Sequence, residues 1–128
     1  MKQGKLAESV LKRSILKQLH FKRADVCLAA GVGEDCAAFF VAEDEVAVLS
    51  SDPVIWEDSL DGRCGVHANL NDLAAGGAQP VGLMLTALLP PGVEEPEMRS
   101  MVQTIAQECE PLQVQILGGH TEVTDAVN

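Results

Sequence analysis

Asn69-Leu-Asn-Asp72-Leu-Ala-Ala-Gly-Gly-Ala-Gln-Pro80, followed by the apolar run Val81 to Leu89, is the stretch that decides the fold. Val66, Leu70 and Leu73 recur at helical spacing, which predicts a helix from about Asp61 to Ala75. Gly76-Gly77 then offers the left-handed positions at which helices stop. The near-continuous hydrophobicity of Val81 to Leu89, closed by Pro90-Pro91-Gly92, predicts a strand buried on both faces or against a partner subunit. On the helix, Asn69 and Asp72 stand three residues apart, so both can meet a common ligand.

Working toward the carboxy terminus, Glu94, Glu95 and Glu97 around Pro96 form an acidic helix start. Met98, Met101, Val102, Ile105 and Cys109 follow as its apolar stripe, read as core packing. Val114 to Leu117 is a short strand expected to deliver a Gly118-Gly119-His120 turn. Toward the amino terminus, Pro53 biases Asp52 to extended geometry, and Trp56 is the one indole able to anchor the irregular segment before Gly62. Ala37 to Val41 and Val46 to Ser50, around Ala42-Glu-Asp-Glu45, predict a hairpin. Residues 6–19 carry Leu6, Val10, Leu11, Ile15 and Leu19 at helical spacing and predict an amphipathic helix whose Lys12, Arg13 and Lys17 face solvent. The resulting fold class is α+β: a mixed, mostly antiparallel sheet with helices on one face.

At 128 residues the chain fits one domain with a real core. Hydrophobic residues reach 47% but aromatics only 3%, so the core is aliphatic and stacking platforms for bases are missing. A net charge of −10 argues against nucleic acid, whose phosphates are bound through clustered Lys and Arg. The same charge repels any anionic ligand. Unit charges a few ångströms apart cost about 4 kcal/mol at an effective dielectric near 20, so a nucleoside triphosphate here requires divalent cations. Cys27, Cys36, Cys64 and Cys109 show no paired spacing and do not group with His20, His67 and His120 as zinc ligands, so they read as buried thiols of a reducing compartment. No apolar run is long enough to span a bilayer and no cleavable signal is present, which makes the cytoplasm the expected location.

Asp35, Asp52 and Asp72 each lie at an element boundary beside Gly, Ser or Asn, so they can converge at one end of a sheet, and three such oxygens suit magnesium. Each is equally readable as a turn or helix-surface residue. Gly31-Val-Gly33 is either a phosphate cradle or a flexible turn, and Gly118-Gly119 either offers amides to phosphate or ends a strand. A Gly-x-x-x-x-Gly-Lys-[Ser/Thr] stretch does not occur, which excludes a Walker-type loop. His67 reads as a partly buried, hydrogen-bonded residue of the central helix.

Four motifs in order, Gly31-Val-Gly-Glu-Asp35-Cys-Ala-Ala, Leu49-Ser-Ser-Asp52, Asn69 to Pro80, and Leu117-Gly-Gly-His120-Thr, resemble the amino-terminal ATP-binding domain of the aminoimidazole ribonucleotide synthetase superfamily. That group includes thiamine monophosphate kinase, selenophosphate synthetase and the hydrogenase maturation protein that dehydrates a carbamoyl group. The resemblance implies that Asp35, Asp52 and Asp72 hold magnesium, with Ser50 and Ser51 near metal and phosphates. It implies that Asn69 and the Gly118, Gly119, His120, Thr121 turn help bind ATP. It further implies a sheet that pairs with a second subunit into a barrel-like homodimer, a last strand and a carboxy-terminal domain lying beyond residues 1–128, and an acceptor substrate that is a small molecule or protein-bound.

The departures bear on the branch. Thiamine monophosphate kinases carry Asp where this chain has His120, and imidazole is a poor magnesium ligand. The cysteine motif of selenophosphate synthetases and the Asp-Gly-x-Gly-Thr-Lys stretch of the purine enzyme are missing. Gly-Gly-His-Thr-Glu, with Gly4-Lys5-Leu6 opening the first helix, looks most like the hydrogenase maturation branch. The expectation is part of an ATP-dependent enzyme that activates a substrate oxygen by phosphoryl transfer without a covalent nucleophile. Its rivals are a thiamine monophosphate kinase-like phosphotransferase and a non-catalytic dimeric assembly module.

Overall fold

The structure, a computed structural model, describes residues 7–57 and 59–127. Two sheets and two long helices make up the α+β unit. The antiparallel sheet has the order β1 (Val26–Leu28), β2 (Cys36–Ala42), β3 (Glu45–Ser50), and β2 and β3 form the expected hairpin with Cys36 opposite Ser50 and Ala38 opposite Val48. The second sheet is a parallel pair, β4 (Gly82–Leu89) and β5 (Gln115–Val123). Parallel neighbours need a crossover, and the helix between them supplies it. The single mixed sheet expected from the sequence is thus divided in two.

The helix called here α2 runs Ser59–Ala75 and ends as its glycines dictate. Gly77 adopts φ +75, and Ala78 N–H donates to the Leu73 carbonyl at 2.9 Å, which closes the last turn. The crossover helix, α3, runs Glu95–Cys109. Its start is built by the acidic cluster: Glu94 N–H donates to the Glu97 carboxylate at 2.8 Å, and Pro96 occupies the first turn, where a missing N–H costs nothing.

The core lies between these helices and the parallel pair. Val66 and Leu70 from α2, Ile105 and Cys109 from α3, and Val114 are buried together, with Trp56, Leu73, Leu83, Leu85, Met101 and Ile116 packed against them. Burial pushes the Cys109 thiol pKa up. Strand β4 alternates: Ala87 and Leu89 are buried, whereas Met84 is 72% and Leu88 48% exposed. Its apolar run therefore covers one buried and one open face of this chain, and not two buried ones.

The first helix, α1, is shorter than its periodicity predicts. It spans Glu8–Ser14, breaks at Ile15, and continues as a single 3-10 turn, Leu16–Gln18, with no buried residue in either piece. Without a packed face a helix this short is marginal, so hydrophobic spacing alone does not extend it. Positions before Ala7, including Leu6 and the Gly4-Lys5 pair, lie outside the described residues. The cysteine expectation also needs correction. Cys109 is buried and Cys36 half-buried, but Cys27 and Cys64 are exposed; all four are free thiols.

Candidate functional site

A polar seam runs between the antiparallel sheet and the carboxy-terminal half of α2. Ser50 ends β3 and points at α2, where its hydroxyl lies 3.2 Å from Asp72 Oδ2 and 3.0 Å from the Asp35 carbonyl oxygen. One hydroxyl proton faces two acceptors, so the seam holds more lone pairs than protons. Cys36, the first residue of β2, donates its thiol to the Asp72 carbonyl at 3.2 Å and ties the sheet to the helix beside Ser50. Sequence reading missed this role, although the position of Cys36 directly after Asp35 was its signal.

One turn earlier on α2, Asn69 holds the chain that leaves β3. Asp52 N–H donates to Asn69 Oδ1 at 2.9 Å, and Asn69 Nδ2 donates to the Gly65 carbonyl at 3.0 Å and reaches the Asp52 carbonyl at 3.5 Å. Ser51 is exposed between the two anchored residues. The turn through Val32 and Gly33, with Gly33 at φ +76, leads Asp35 into β2. Residues from three separate motifs thus meet on one seam. Asp72 enters it through its carboxylate, Asp35 and Asp52 through their backbones. Among the described residues, no three carboxylate, imidazole or thiol groups are gathered closely enough to hold a metal ion. The donors that do meet are all oxygens apart from the Cys36 thiol, a chemistry that fits a hard cation of the magnesium type.

The fourth motif is placed differently from the expected turn. Gly118 and Gly119 lie inside β5, with Met84 opposite Gly118 and Leu85 opposite Gly119, and the register slips by one residue just before them. Leu117 is the extra residue of this bulge. Gly119 sits at φ +149, and a Cβ there would lie 1.8 Å from the Leu85 carbonyl oxygen, so only glycine allows the strands to approach. Beyond it, His120 stands opposite Thr86 and Thr121 opposite Ala87. Successive strand residues point to opposite faces. Thr121 accordingly lines a cleft of about 380 Å³ against α3 with Arg99 and Met98, while His120 is exposed, 3.4 Å from the Glu122 carboxylate.

Outside the seam, His67 reaches across from α2 to α3, where its Nε2 meets Glu108 Oε1 at 2.9 Å, and Arg63 approaches the same carboxylate at 3.8 Å. The expected hydrogen bond is present, though the ring is about half exposed.

An α+β unit whose parallel pair carries the core and whose antiparallel hairpin presents aspartate and serine to a helix is the class of domain defined here. Residues 33–128 match the family described as AIR synthase related protein, N-terminal domain, and the chain belongs to that family. Across 98% of its length it is 28% identical to a protein of Methanocaldococcus jannaschii provisionally named for hydrogenase expression/formation, covering 38% of that relative. With the thiamine-monophosphate kinase of Escherichia coli (strain K12) it shares 33% identity over 77% of this chain and 32% of the kinase. The solved structure of AaThiL complexed with AMPPCP and TMP has a similar fold, with a TM-score of 0.71 at 16% identity over 96% of this chain and 41% of that one. The chain spans about a third of the length of the curated relatives it matches. No helix among the described residues is long and apolar enough to cross a membrane.

Proposed function

We propose that the chain is the magnesium- and ATP-binding domain of an ATP-dependent enzyme that activates a substrate oxygen by phosphoryl transfer. The observation that carries this is the Ser50 hydroxyl set between the Asp35 carbonyl and the Asp72 carboxylate, which joins three motifs into one oxygen-rich seam. Asp35, Asp52 and Asp72 would ligate magnesium, with Ser50 and Ser51 beside metal and phosphates. Asn69, Gly118, Gly119, His120 and Thr121 would contribute to nucleotide binding, His120 and Thr121 from opposite faces of β5. Bound magnesium would supply the positive charge that a site on a chain of net charge −10 needs to accept a polyphosphate. The chain's own residues hold the geometry: Ser50 and Cys36 fasten Asp72 to the sheet, and Asn69 fixes the backbone of Asp52.

Membership of a family with relatives named for hydrogenase formation and for thiamine monophosphate phosphorylation supports a phosphoryl-transfer role. His120, at a position where the resemblance to thiamine monophosphate kinases implies Asp, inclines the reading toward hydrogenase maturation. The acceptor would be a small molecule or a protein-bound group. The free thiols fit a cytoplasmic setting. The open apolar face of β4, with Met84 and Leu88, fits a homodimer whose sheets pair. The same face also favours a second reading, an assembly module that keeps the dimer and does no chemistry.

Calorimetric titration of the full-length protein with ATP separates the two. Binding heat that requires magnesium is expected; no heat with or without magnesium rejects the enzyme reading in favour of the assembly module.

A further inference from the structure

The segment that follows Asp52 lies along α2 in a regular way. Asp52 meets the helix through its backbone N–H, Val54 and Trp56 through their side chains, and between the last two Ile55 is 83% exposed. Their partners, Asn69, Gly65 and Gly62, are spaced four and three residues apart and so share one helix face. Asn69 takes the Asp52 N–H at 2.9 Å. At Gly65 an added Cβ would lie 2.8 Å from Val54 Cγ2, and at Gly62 it would lie 2.1 Å from the Trp56 ring. Both glycines are buried, and Trp56 continues into the core, where it packs against the buried cluster that includes Val66 and Leu70. The segment is an extended strap, keyed at three points into the helix that carries Asp72.

We propose that Trp56 and Val54, seated on Gly62 and Gly65, are positioning residues that set where Asp52 stands relative to Asp72 in the metal–nucleotide site, although neither side chain belongs to that site. This rests on the reading above that Asp52 and Asp72 serve magnesium and ATP. A strap seated at three points has no freedom to slide along α2, so the register of Asp52 is fixed from the core outward. Asn69 acts at the strap's near end, and the two glycine seats act at its far end.

The test uses the full-length protein, with magnesium-dependent ATP binding by calorimetry and the emission of Trp56, the sole tryptophan of these 128 residues, taken as the difference from a Trp56→Phe variant. Gly62→Ala leaves α2 a better helix former but fills the seat, so the ring must leave. The magnesium concentration at half-maximal ATP binding is expected to rise about tenfold or more, the range found when supports behind a metal ligand are removed. Trp56 emission should shift to the red while the far-ultraviolet helix signal holds. Adding Trp56→Leu, which makes room for the new methyl, should restore part of the affinity. Wild-type affinity in Gly62→Ala, weakened affinity with unchanged emission, or no recovery in the double variant each overturns the strap's role. Should Gly62→Ala not fold, Val54→Ala empties the second seat without adding an atom. It is expected to weaken binding in the same direction, and unchanged affinity there overturns the proposal. Asp52→Asn keeps the two failures apart: if it binds magnesium and ATP as wild type does, or if wild type binds neither, the nucleotide reading falls and the strap's role with it.

Discussion

The β4–α3–β5 half of the molecule is held by apolar side chains, whereas the β1–β2–β3 half is held to α2 by hydrogen bonds and glycine seats. Val66, Leu70, Ile105, Cys109 and Val114 form the buried cluster of the first. The second contributes Ala38 as its buried strand residue and meets α2 through Ser50, Cys36 and the strap. Helix α2 belongs to both, with Val66 and Leu70 turned to the core and Gly62, Gly65, Asn69 and Asp72 to the strap and seam. On the proposed function, the division means that stability and ligand chemistry fall to different faces of one helix. Substitutions should therefore separate into those that lower stability and those that lower binding.

The largest loss is expected from Ile105→Ala. Removing a buried aliphatic side chain leaves a cavity that tightly packed neighbours cannot fill, at a cost of roughly 2–5 kcal/mol, read as a lower midpoint in chemical denaturation. Ile105 touches the core and not the seam, so magnesium-dependent ATP binding by the remaining folded protein should be unchanged. A variant of normal stability would show that the apolar half does not carry the fold and would break the comparison.

Asp72→Asn tests the other half. The amide keeps the shape and can still accept from the Ser50 hydroxyl, while the charge is lost. Supports behind a metal typically contribute tenfold to a hundredfold in affinity, and a ligating carboxylate should contribute no less, so ATP binding in magnesium should weaken by about a hundredfold. The denaturation midpoint should move far less than in Ile105→Ala. Equal loss of stability in the two variants would mean that the seam is structural.

How far these two halves could be read from the sequence differs for a physical reason. The hairpin, the stop of α2 at Gly76-Gly77 and the acidic start of α3 depend on residues close in sequence, and each is where the pattern places it. The same holds for the Val66 and Leu70 core face. Gly118-Gly119 was open to a turn because positive φ serves a turn and a bulge alike. What decides between them is the Leu85 carbonyl opposite Gly119, a neighbour across the sheet that local spacing does not contain. The strap had a legible signal in the spacing of Gly62 and Gly65, but only the structure supplies Trp56 and Val54 as what fills them. Helix α1 failed in the opposite sense, since its apolar spacing is real but none of its described residues is fully buried.

A smaller effect should follow from Glu97→Ala. This carboxylate accepts the Glu94 N–H at the start of α3 and sits where a negative charge complements the helix dipole. Its loss is expected to lower stability by about 0.5–1.5 kcal/mol, the scale of one net hydrogen bond. A thermal melt should register this without any change in ATP binding. A change in ATP binding would couple the crossover helix to the seam and blur the division.

The smallest effect is expected at Arg23 and Asp25, which stand before and at the edge of the antiparallel sheet. The guanidinium donates from Nε at 2.7 Å and from the second nitrogen at 2.6 Å to the two carboxylate oxygens of Asp25. This hydrogen bonding holds the Asp25 carboxyl below its usual range, while the pair remains open to solvent. A carboxylate whose pKa is depressed in the folded state stabilises above its unfolded-state value, and that contribution is lost as pH falls through the lowered one. Arg23→Ala should therefore move Asp25 toward ordinary titration, seen as a rise in the pH at which its carboxyl carbon shifts by NMR. At neutral pH the unfolding midpoint should fall only slightly, because an exposed pair is screened on both sides by water. If Asp25 kept its low titration in Arg23→Ala, the backbone hydrogen bond at Asp25, and not the guanidinium, would be what holds it, and the ion pair at this edge would contribute nothing to the antiparallel half.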